Sequence, residues 1–276
     1  MATRLRSILD RARPGSDPPR PPLVLLATGG SGTRAIAMVM KDAGVYIGPK
    51  LNKAHDSLEL KPFLVRWSTP YIESSRWVEA IEADPNAEIP EPPREVQRDL
   101  RAAIERQREG IPAEDSLWGW KNPRTANLLP VLNAVAPDAI TAHLVRDGRD
   151  MAYSKNQNQL EDCRPLVPER LRDAPVPVQS IDLWSRLNLA SIAYMRRTKG
   201  DRHIVIRYED LCAEPAKHME RLLEHFAVPV TSDVLARAEE LISISPSAGR
   251  WRDAPRDELA AVLEAGAPGL AEFGYT

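Results

Sequence analysis

The hydrophobic positions of this chain alternate between short continuous runs and longer stretches with helical spacing. Short continuous runs predict buried strands. The runs cover residues 23–26, 45–47, 117–121, 139–145 and 203–208. Apolar positions spaced three or four apart predict helices. These stretches cover residues 35–40, 94–109, 128–135, 182–197 and 214–226. Such alternation indicates an α/β fold in which a mostly parallel sheet carries helices on both faces.

Three polar segments directly follow predicted strands. They cover residues 27–34, 121–124 and 146–154. Ligands of parallel sheets bind beyond the carboxyl ends of the strands, where such segments meet. We therefore expect the functional residues in these three segments.

The first 22 residues differ in composition from the rest of the chain. They hold five prolines and five arginines, a composition that cannot bury a core. The sequence therefore predicts a flexible arm over residues 1–22 and a single domain over residues 23–276.

The charge of the chain excludes some classes of partner. The 37 basic and 39 acidic residues of the 276 nearly cancel, leaving a net charge of −2, so no overall field draws the protein to nucleic acid. No apolar run approaches the roughly 18 residues that a membrane span needs, which predicts a protein without a membrane span. Only eight of the basic residues are lysines, and this scarcity draws attention to where each one lies.

The two cysteines, Cys163 and Cys212, are far apart and lack the spacing of a metal site. A disulfide framework and a structural zinc site are therefore not expected, and no metal is predicted. The N-terminal segment is interrupted by charged residues and lacks the apolar centre of a signal peptide. Together these features predict a soluble cytoplasmic protein.

A glycine-rich turn follows the first predicted strand, with glycines at positions 29, 30 and 32. The N–H groups that open the next helix, at Thr33 and Arg34, form an anion site that suits a phosphate. The turn lacks the Gly-Lys-Ser/Thr of a nucleoside triphosphatase. It matches the dinucleotide pattern Gly30-x-Gly32-x-x-Ala35, but no acidic residue ends the second predicted strand to hold a ribose. Both absences argue against the alternatives of a nucleotide-dependent kinase or oxidoreductase.

Four segments together resemble the sulfotransferase family. They are Gly29-Gly-Ser-Gly-Thr33, Arg146 with Ser154, Arg207-Tyr-Glu-Asp-Leu211 and Gly249-Arg-Trp251. The resemblance implies a P-loop-like three-layer sandwich with a central, mostly parallel sheet flanked by helices. It also implies a sulfuryl donor, 3′-phosphoadenosine-5′-phosphosulfate (PAPS), which becomes 3′-phosphoadenosine-5′-phosphate (PAP), and an acceptor that carries a hydroxyl group.

The resemblance assigns donor contacts to two of these segments. The first turn would hold the 5′-phosphosulfate through Gly29, Gly30, Ser31, Gly32, Thr33 and Arg34. An arginine and a serine eight positions apart, here Arg146 and Ser154, would bind the 3′-phosphate. An arginine at a strand end and a serine two helical turns later can converge on one phosphate. The alternative for Arg146 is a surface ion-pair cluster with its acidic neighbours.

The chain departs from the family at one position. The family usually has lysine or arginine directly before the Ser-Gly-Thr, where this chain has Gly30. The charge that would stabilise the oxygen bridging sulfate and phosphate is therefore absent from its usual position. Arg34 or Lys121 could supply it. Lys121 resembles the strand-end lysine that many members keep near the sulfuryl group, although a purely structural ion pair is the alternative.

Sulfuryl transfer to a hydroxyl also requires a group that accepts the proton. His55 lies in the polar segment where related heparan and tyrosylprotein sulfotransferases place an acidic base, and an imidazole has a suitable pKa. Asp56 and Glu59 are the alternatives in the same segment, and a segment without any base is the third possibility. The other histidines lie in predicted strands and helices, where structural roles are expected.

Two later segments are expected to complete the donor site. Tyr208 resembles a residue near the adenine, with a core tyrosine as the alternative. Arg250 and Trp251 resemble the late loop that closes over the donor, with an exposed linker as the alternative. The acceptor pocket is expected within residues 54–94 and 155–180, which include three aromatic residues of interest. These are Trp67, Tyr71 and Trp77.

The sequence thus predicts a sulfotransferase that acts on a carbohydrate, lipid or other small molecule by direct in-line transfer without a metal. The competing hypothesis is a catalytically idle nucleotide-binding module of the same fold, which the glycine at position 30 favours.

Overall fold

The computed structural model describes residues 20–111 and 116–275. Most of the predicted N-terminal arm, residues 1–19, lies outside the described residues. Four strands form one parallel sheet in the order β2-β1-β3-β4. They are β1 (Leu23–Ala27), β2 (Gly119–Lys121), β3 (Ile140–Val145) and β4 (His203–Arg207). The predicted α/β class is confirmed.

Twelve α-helices are present in the part of the chain that the structure describes. They are α1 (Thr33–Asp42), α2 (Lys61–Ser75), α3 (Trp77–Ala83), α4 (Arg94–Arg108), α5 (Leu129–Val135), α6 (Gly148–Ala152), α7 (Asn158–Asp162), α8 (Val176–Lys199), α9 (Tyr208–Ala213), α10 (Pro215–His225), α11 (Ser232–Leu241) and α12 (Arg256–Glu272). Residues 20–111 and 116–275 also contain five short 3₁₀ segments. These are Pro123–Leu128, Arg164–Leu166, Glu169–Leu171, Gly200–Arg202 and Arg250–Asp253. No described helix is both long enough and apolar enough to cross a membrane.

All five residues of β1 are buried, because helices cover both faces of the sheet. Val24 and Leu26 pack into a core that includes residues of α2 to α5 and α8. Leu23 and Leu25 point to the opposite face and pack with residues of α1, α10 and α11. Because side chains alternate between the faces of a strand, one apolar run supplies both cores.

The predicted helices are present, but their ends are shifted. The position of a proline explains where two of them begin. Pro130 lies in the first turn of α5 and Pro215 in the first turn of α10. A proline is tolerated there because its missing N–H would have no intrahelical partner. α8 begins at Val176, six residues before the predicted start. The sequence pattern does not predict α2, α3, α7, α11 or α12.

The predicted strand at residues 45–47 is wrong. Tyr46 forms only an isolated parallel bridge with Trp118. Gly44 and Gly48, with φ angles of 86° and 122°, bend the chain on both sides of this segment. Its pairing with the chain at the start of β2 is therefore confined to the two backbone hydrogen bonds of Tyr46 with Leu117 and Gly119.

Three of the histidines form a buried polar cluster around β3. His143 Nε2 donates to Asn188 Oδ1 at 2.9 Å, and His225 Nε2 donates to the carbonyl oxygen of Thr141 at 3.0 Å. His203 Nδ1 shares a hydrogen bond of 2.9 Å with the Thr141 hydroxyl. Burial lowers the pKa of His143 to about 4 and that of His203 to about 3, and it also lowers the pKa of His225. All three histidines are buried in the core, where the sequence predicts structural roles.

Candidate active site

A cavity of about 700 Å³ opens at the carboxyl edge of the sheet. Many of the predicted site residues line it. These are Gly29, Gly30, Ser31, Gly32, Thr33, Arg34, Lys121, Arg146 and Tyr208. The strand ends bring them together although the chain separates them by up to 179 positions. Four other predicted residues lie outside its lining. These are His55, Ser154, Arg250 and Trp251.

The glycine-rich turn has a backbone that favours glycine at two positions. Gly30 and Gly32 have φ angles of 86° and 83°, in the left-handed region where a side chain is strained. A Cβ atom on Gly32 would lie 2.4 Å from the Tyr208 ring, whereas one on Gly30 would meet nothing within 4 Å. Gly32 therefore allows backbone and ring to approach closely, and Gly30 leaves an open space.

The turn leads into the N-terminus of α1, which faces the cavity. Thr33, Arg34 and Ala35 line it, and no side chain caps this ten-residue helix. The first N–H groups and the helix dipole favour an anion at this end. Within the turn, the Ser31 hydroxyl donates to the carbonyl oxygen of Thr28 at 2.6 Å. The Gly29 N–H donates to Oε1 of Gln159 on α7.

Arg146 follows β3 and is buried beside the glycine-rich turn. Its Nη1 donates to the carbonyl oxygen of Gly30 at 3.2 Å, and its Nη2 donates to Asp150 at 3.1 Å. Its guanidinium carbon lies 4.9 Å from the centre of the Tyr208 ring. Nε of Arg146 is buried without a hydrogen-bond partner. This orphaned donor leaves the cation able to bind an anion that enters the cavity.

Tyr208 is fixed in place by the segment after α11. Its hydroxyl donates to the carbonyl oxygen of Ser243 at 3.1 Å and accepts from the Ser245 N–H at 3.0 Å. Burial raises the pKa of Tyr208 to about 12. The ring is therefore a neutral, rigid wall between the glycine-rich turn and residues 243–245.

The late segment Gly249–Trp251 packs near Arg146 without lining the cavity. Asp150, the carboxylate partner of Arg146, also accepts from the Gly249 N–H at 2.7 Å. Arg250 Nη1 donates at 3.1 Å to the carbonyl oxygen of Tyr153, the residue before Ser154. The guanidinium carbons of Arg149 and Arg252 lie 4.1 and 4.5 Å from the centre of the Trp251 ring. Arg250 and Ser154 are thus neighbours of the site.

Lys121 ends β2 and is 3% exposed. Its Nζ lies 2.5 Å from Oδ1 of Asp56 and also donates to the carbonyl oxygen of Ala54. Burial lowers the pKa of Lys121, the Asp56 carboxylate opposes this shift, and Arg34 adds to it. The ammonium group is therefore held at the cavity by one carboxylate and one carbonyl.

The three candidate bases differ in where they lie. Asp56 lines the cavity, whereas His55 and Glu59 do not. His55 has a left-handed backbone with a φ of 60°, and its Nδ1 is buried without a partner. Burial lowers the pKa of His55, and the nearby cations Lys121 and Lys41 lower it further. An imidazole with a lowered pKa stays neutral, so it can accept a proton, but the structure places Asp56 closer to the cavity.

Several residues that line the cavity are not predicted from the sequence. Nε and Nη2 of Arg124 donate to the two carboxylate oxygens of Asp162 at 2.7 and 2.9 Å. Asn127 and Gln159 also line the cavity. Arg124 lies in one of the polar strand-end segments, and Asp162 lies in the stretch predicted to hold the acceptor. No pattern in the sequence predicts that these two residues, 38 positions apart, form an ion pair.

The aromatic residues predicted for the acceptor pocket do not line this cavity. Nε1 of Trp67 donates to Asp99 at 3.0 Å. Tyr71 and Trp77 are buried in the core, and Trp77 donates to the backbone of Asn127. Hydrophobic burial decides their positions, because burying a large ring in the core stabilises the fold more than contacts in a polar pocket would.

The charge of the cavity differs from that of the chain. Five basic and two acidic side chains line it among the described residues. They are Arg34, Lys61, Lys121, Arg124 and Arg146, with Asp56 and Asp162. A locally positive cavity therefore exists within a chain of net charge −2. The described residues hold no group of three or more His, Cys, Asp or Glu side chains that could bind a metal.

Comparison with known proteins adds to this geometry. The model of the sulfotransferase family matches residues 22–233. A sulfotransferase structure from Mycobacterium avium is similar with a TM-score of 0.58 and 16% identity over 93% of this chain and 76% of that one. A sulfotransferase structure from Alicyclobacillus acidocaldarius has a TM-score of 0.52 and 15% identity, covering 93% of this chain and 95% of that one. A mouse sulfotransferase complexed with PAP has a TM-score of 0.51 and 12% identity, covering 94% of this chain and 87% of that one. No curated protein matches the sequence significantly.

Proposed function

The chain belongs to the sulfotransferase family, and from this premise we propose that it transfers a sulfuryl group from PAPS to a hydroxyl group. The acceptor would be a carbohydrate, a lipid or another small molecule. One observation carries the proposal: the glycine-rich turn, Lys121 and Arg146 converge on one positively charged cavity at the carboxyl edge of the sheet. We further propose that the working unit spans residues 23–276.

The residues of the cavity fit a donor that carries several phosphate oxygens. The uncapped N-terminus of α1 offers N–H groups, and Arg146 offers an orphaned buried Nε. When bound, the donor supplies the sulfuryl group, whose S–O bond to phosphate breaks as the acceptor oxygen bonds to sulfur. Gly29 to Arg34 would hold the 5′-phosphosulfate. Because Arg34 is exposed beside this turn, it would compensate for the glycine at position 30.

The other end of the donor would lie against β3 and β4. Arg146 would bind the 3′-phosphate, and the neighbouring Ser154 and Arg250 would reach it after a local adjustment. Tyr208 would contact the adenine with its fixed ring. Trp251, whose ring contacts two guanidinium groups, would cover this end of the donor.

Lys121 and Asp56 would act on the reacting groups. Lys121 would stabilise the negative charge that develops on the oxygen bridging sulfur and phosphorus, and a buried cation does this more strongly than a hydrated one. Asp56 would accept the proton of the acceptor hydroxyl. His55 stays a second candidate for this step. An anionic donor bound to Lys121 would weaken the ion pair between Lys121 and Asp56. The Asp56 carboxylate would then be able to accept a proton.

Titration calorimetry tests the donor. PAP should bind, whereas ATP and NAD should bind far more weakly. Labelled PAPS should lose its sulfuryl group to an acceptor in a broad screen of hydroxyl compounds. Preferential binding of ATP or NAD would exclude the proposal.

The glycine at position 30 supports a second candidate function, an idle nucleotide-binding module. That function predicts PAP binding without turnover with any acceptor. Gly30→Lys separates the two, because open space surrounds this position. A variant that turns over while the natural chain does not would favour the idle module.

A further inference from the structure

One part of the cavity is built from polar side chains that the proposed donor does not use. We call it the acceptor wall and define it as Asp56, Arg124, Asn127 and Asp162, which come from three separate segments of the chain. Arg124 and Asp162 join two of these segments. Lys121 joins the third to the sheet through Asp56.

Arg124 and Asp162 form a two-pronged ion pair at the cavity. Their side chains are 32% and 22% exposed, so the pair is accessible while being held in one geometry. Charge-assisted hydrogen bonds are strong and directional. Such a pair places a hydrogen-bond acceptor, the carboxylate, beside a hydrogen-bond donor, the guanidinium. This arrangement matches two neighbouring hydroxyl groups on one molecule.

Asn127 lies in the same 3₁₀ segment as Arg124, Pro123–Leu128, and is completely buried. Neither atom of its carboxamide bonds to an oxygen or nitrogen atom, and the nearby Cys163 thiol is only a weak hydrogen-bonding group. A buried amide that lacks strong hydrogen bonds destabilises the fold. Because this residue lines the cavity, a hydroxyl group of a ligand could satisfy it.

The acceptor wall carries little uncompensated charge. Lys121 is paired with Asp56, and Arg124 is paired with Asp162. A strongly anionic acceptor would have to compete with both carboxylates. A neutral acceptor can use the pairs as they stand.

The cavity also lacks an aromatic surface for a flat acceptor. Among the described residues that line it, Tyr208 is the only aromatic one. Its ring contacts Gly32 and Arg146, in the part proposed for the donor. Sites for apolar ligands are lined mainly by hydrophobic and aromatic side chains. The large aliphatic residues of this cavity lie within three positions of Tyr208 or of its partner Ser243 along the chain, on the donor side; they are Leu211, Leu241, Ile242 and Ile244.

We infer that the acceptor is a neutral polyhydroxylated compound, a sugar or another polyol with adjacent hydroxyl groups, bound by Arg124, Asp162 and Asn127. This inference rests on the proposed sulfuryl transfer. It excludes phenols and apolar alcohols as preferred acceptors.

The experiment uses the full chain with PAPS and two matched acceptor sets. The polyols are maltose, trehalose, methyl glucoside and myo-inositol, and the others are 4-nitrophenol and 1-octanol. Sulfated product is measured by mass spectrometry, with PAP binding measured in parallel. Polyols should be sulfated in preference. Sulfation of the phenol or the apolar alcohol alone would overturn the inference, and so would PAP binding with no sulfated polyol. Absence of PAP binding, or PAP binding without turnover of any compound in either set, would remove the proposed function together with the inference.

Two variants test the acceptor wall itself. Asp162→Asn and Asn127→Ala should each raise KM for the best polyol by about tenfold or more, since each removes a hydrogen bond to a hydroxyl. The Kd for PAP should stay within about twofold. Asn86→Ala, which removes an exposed carboxamide, is the control, and thermal unfolding checks that each variant folds. An unchanged KM in both folded variants would overturn the assignment of the wall.

Discussion

Nζ of Lys121 lies 2.5 Å from Oδ1 of Asp56, which precedes it by 65 positions. This ion pair ties the end of β2 to the loop before α2 at the mouth of the proposed active site. The Asp56 carboxylate also accepts from Asn52 Nδ2 at 2.8 Å. In the proposed function, this pair would place a cation for charge stabilisation next to the proton acceptor.

Lys121→Ala should abolish most turnover. Removal of one preorganised charge-stabilising group costs a factor of about 10²–10³ in kcat. PAP binding should fall much less, because other groups hold the phosphates. Steady-state kinetics and calorimetry measure the two effects. Lys50→Ala, at an exposed position, is the matched control, and a kcat within twofold of the natural chain would contradict the proposed role.

The two candidate bases give opposite expectations for a pair of variants. Asp56→Asn should lower kcat by about 10²–10⁴, because general bases contribute in that range. His55→Gln should lower it only a few-fold, since His55 does not line the cavity. The reverse order in the measured kcat values would identify His55 as the base. A melting temperature for each variant separates lost catalysis from lost folding.

Arg146→Ala should weaken PAP binding by about tenfold to a hundredfold, the range expected for a hydrogen bond to a charged group. The variant also leaves Asp150 without its ion-pair partner, so some loss of stability is expected. Calorimetry measures the binding. Arg98→Ala removes a guanidinium whose side chain is 71% exposed and should not affect it. Equal effects of the two variants would argue against a phosphate contact at Arg146.

The two left-handed glycines form a matched pair for stability. Alanine in this conformation costs about 1–2 kcal/mol, and this cost should apply to Gly30→Ala. Gly32→Ala should cost more, because its Cβ would lie 2.4 Å from the Tyr208 ring. That ring cannot move freely, since its hydroxyl is bonded to residues 243 and 245. Urea unfolding of both variants measures the difference, and equal losses would mean that the ring yields.

The buried histidine cluster should make the protein sensitive to acid. His143 and His203 have lowered pKa values of about 4 and 3 in the folded chain, against about 6.5 when unfolded. As pH falls below about 6.5, the unfolded chain binds protons that the folded chain does not, so stability is lost toward pH 4. Each histidine contributes a slope of up to about 1.4 kcal/mol per pH unit.

Urea unfolding at pH 7.5 and pH 5.0 tests this expectation. The free energy of unfolding should be clearly lower at pH 5.0. His203→Asn, which keeps a polar atom near the position of Nδ1, should make the pH dependence shallower. His218→Asn, outside the cluster, should not. A free energy of unfolding that does not change between the two pH values would contradict the prediction.

The sequence by itself determined the central sheet, the glycine-rich turn and the family. Continuous apolar runs specify buried parallel strands because both faces of the strand must be covered, and the runs at β1, β3 and β4 did so. The turn and Arg146 could be located because backbone geometry and strand ends depend on local sequence. The resemblance to sulfotransferases is confirmed by the family match over residues 22–233.

Only the tertiary structure decided which side chains meet in the cavity. The pairs of Lys121 with Asp56 and of Arg124 with Asp162 join positions 65 and 38 apart, and no local pattern records such pairings. Trp67, Tyr71 and Trp77, which the sequence assigns to the acceptor pocket, also lie outside the cavity lining in the structure. Burial of their rings stabilises the core, and the choice between core and pocket depends on how helices α2 and α3 pack. A one-dimensional pattern shows that a residue is hydrophobic, whereas packing in three dimensions selects the surface that it covers.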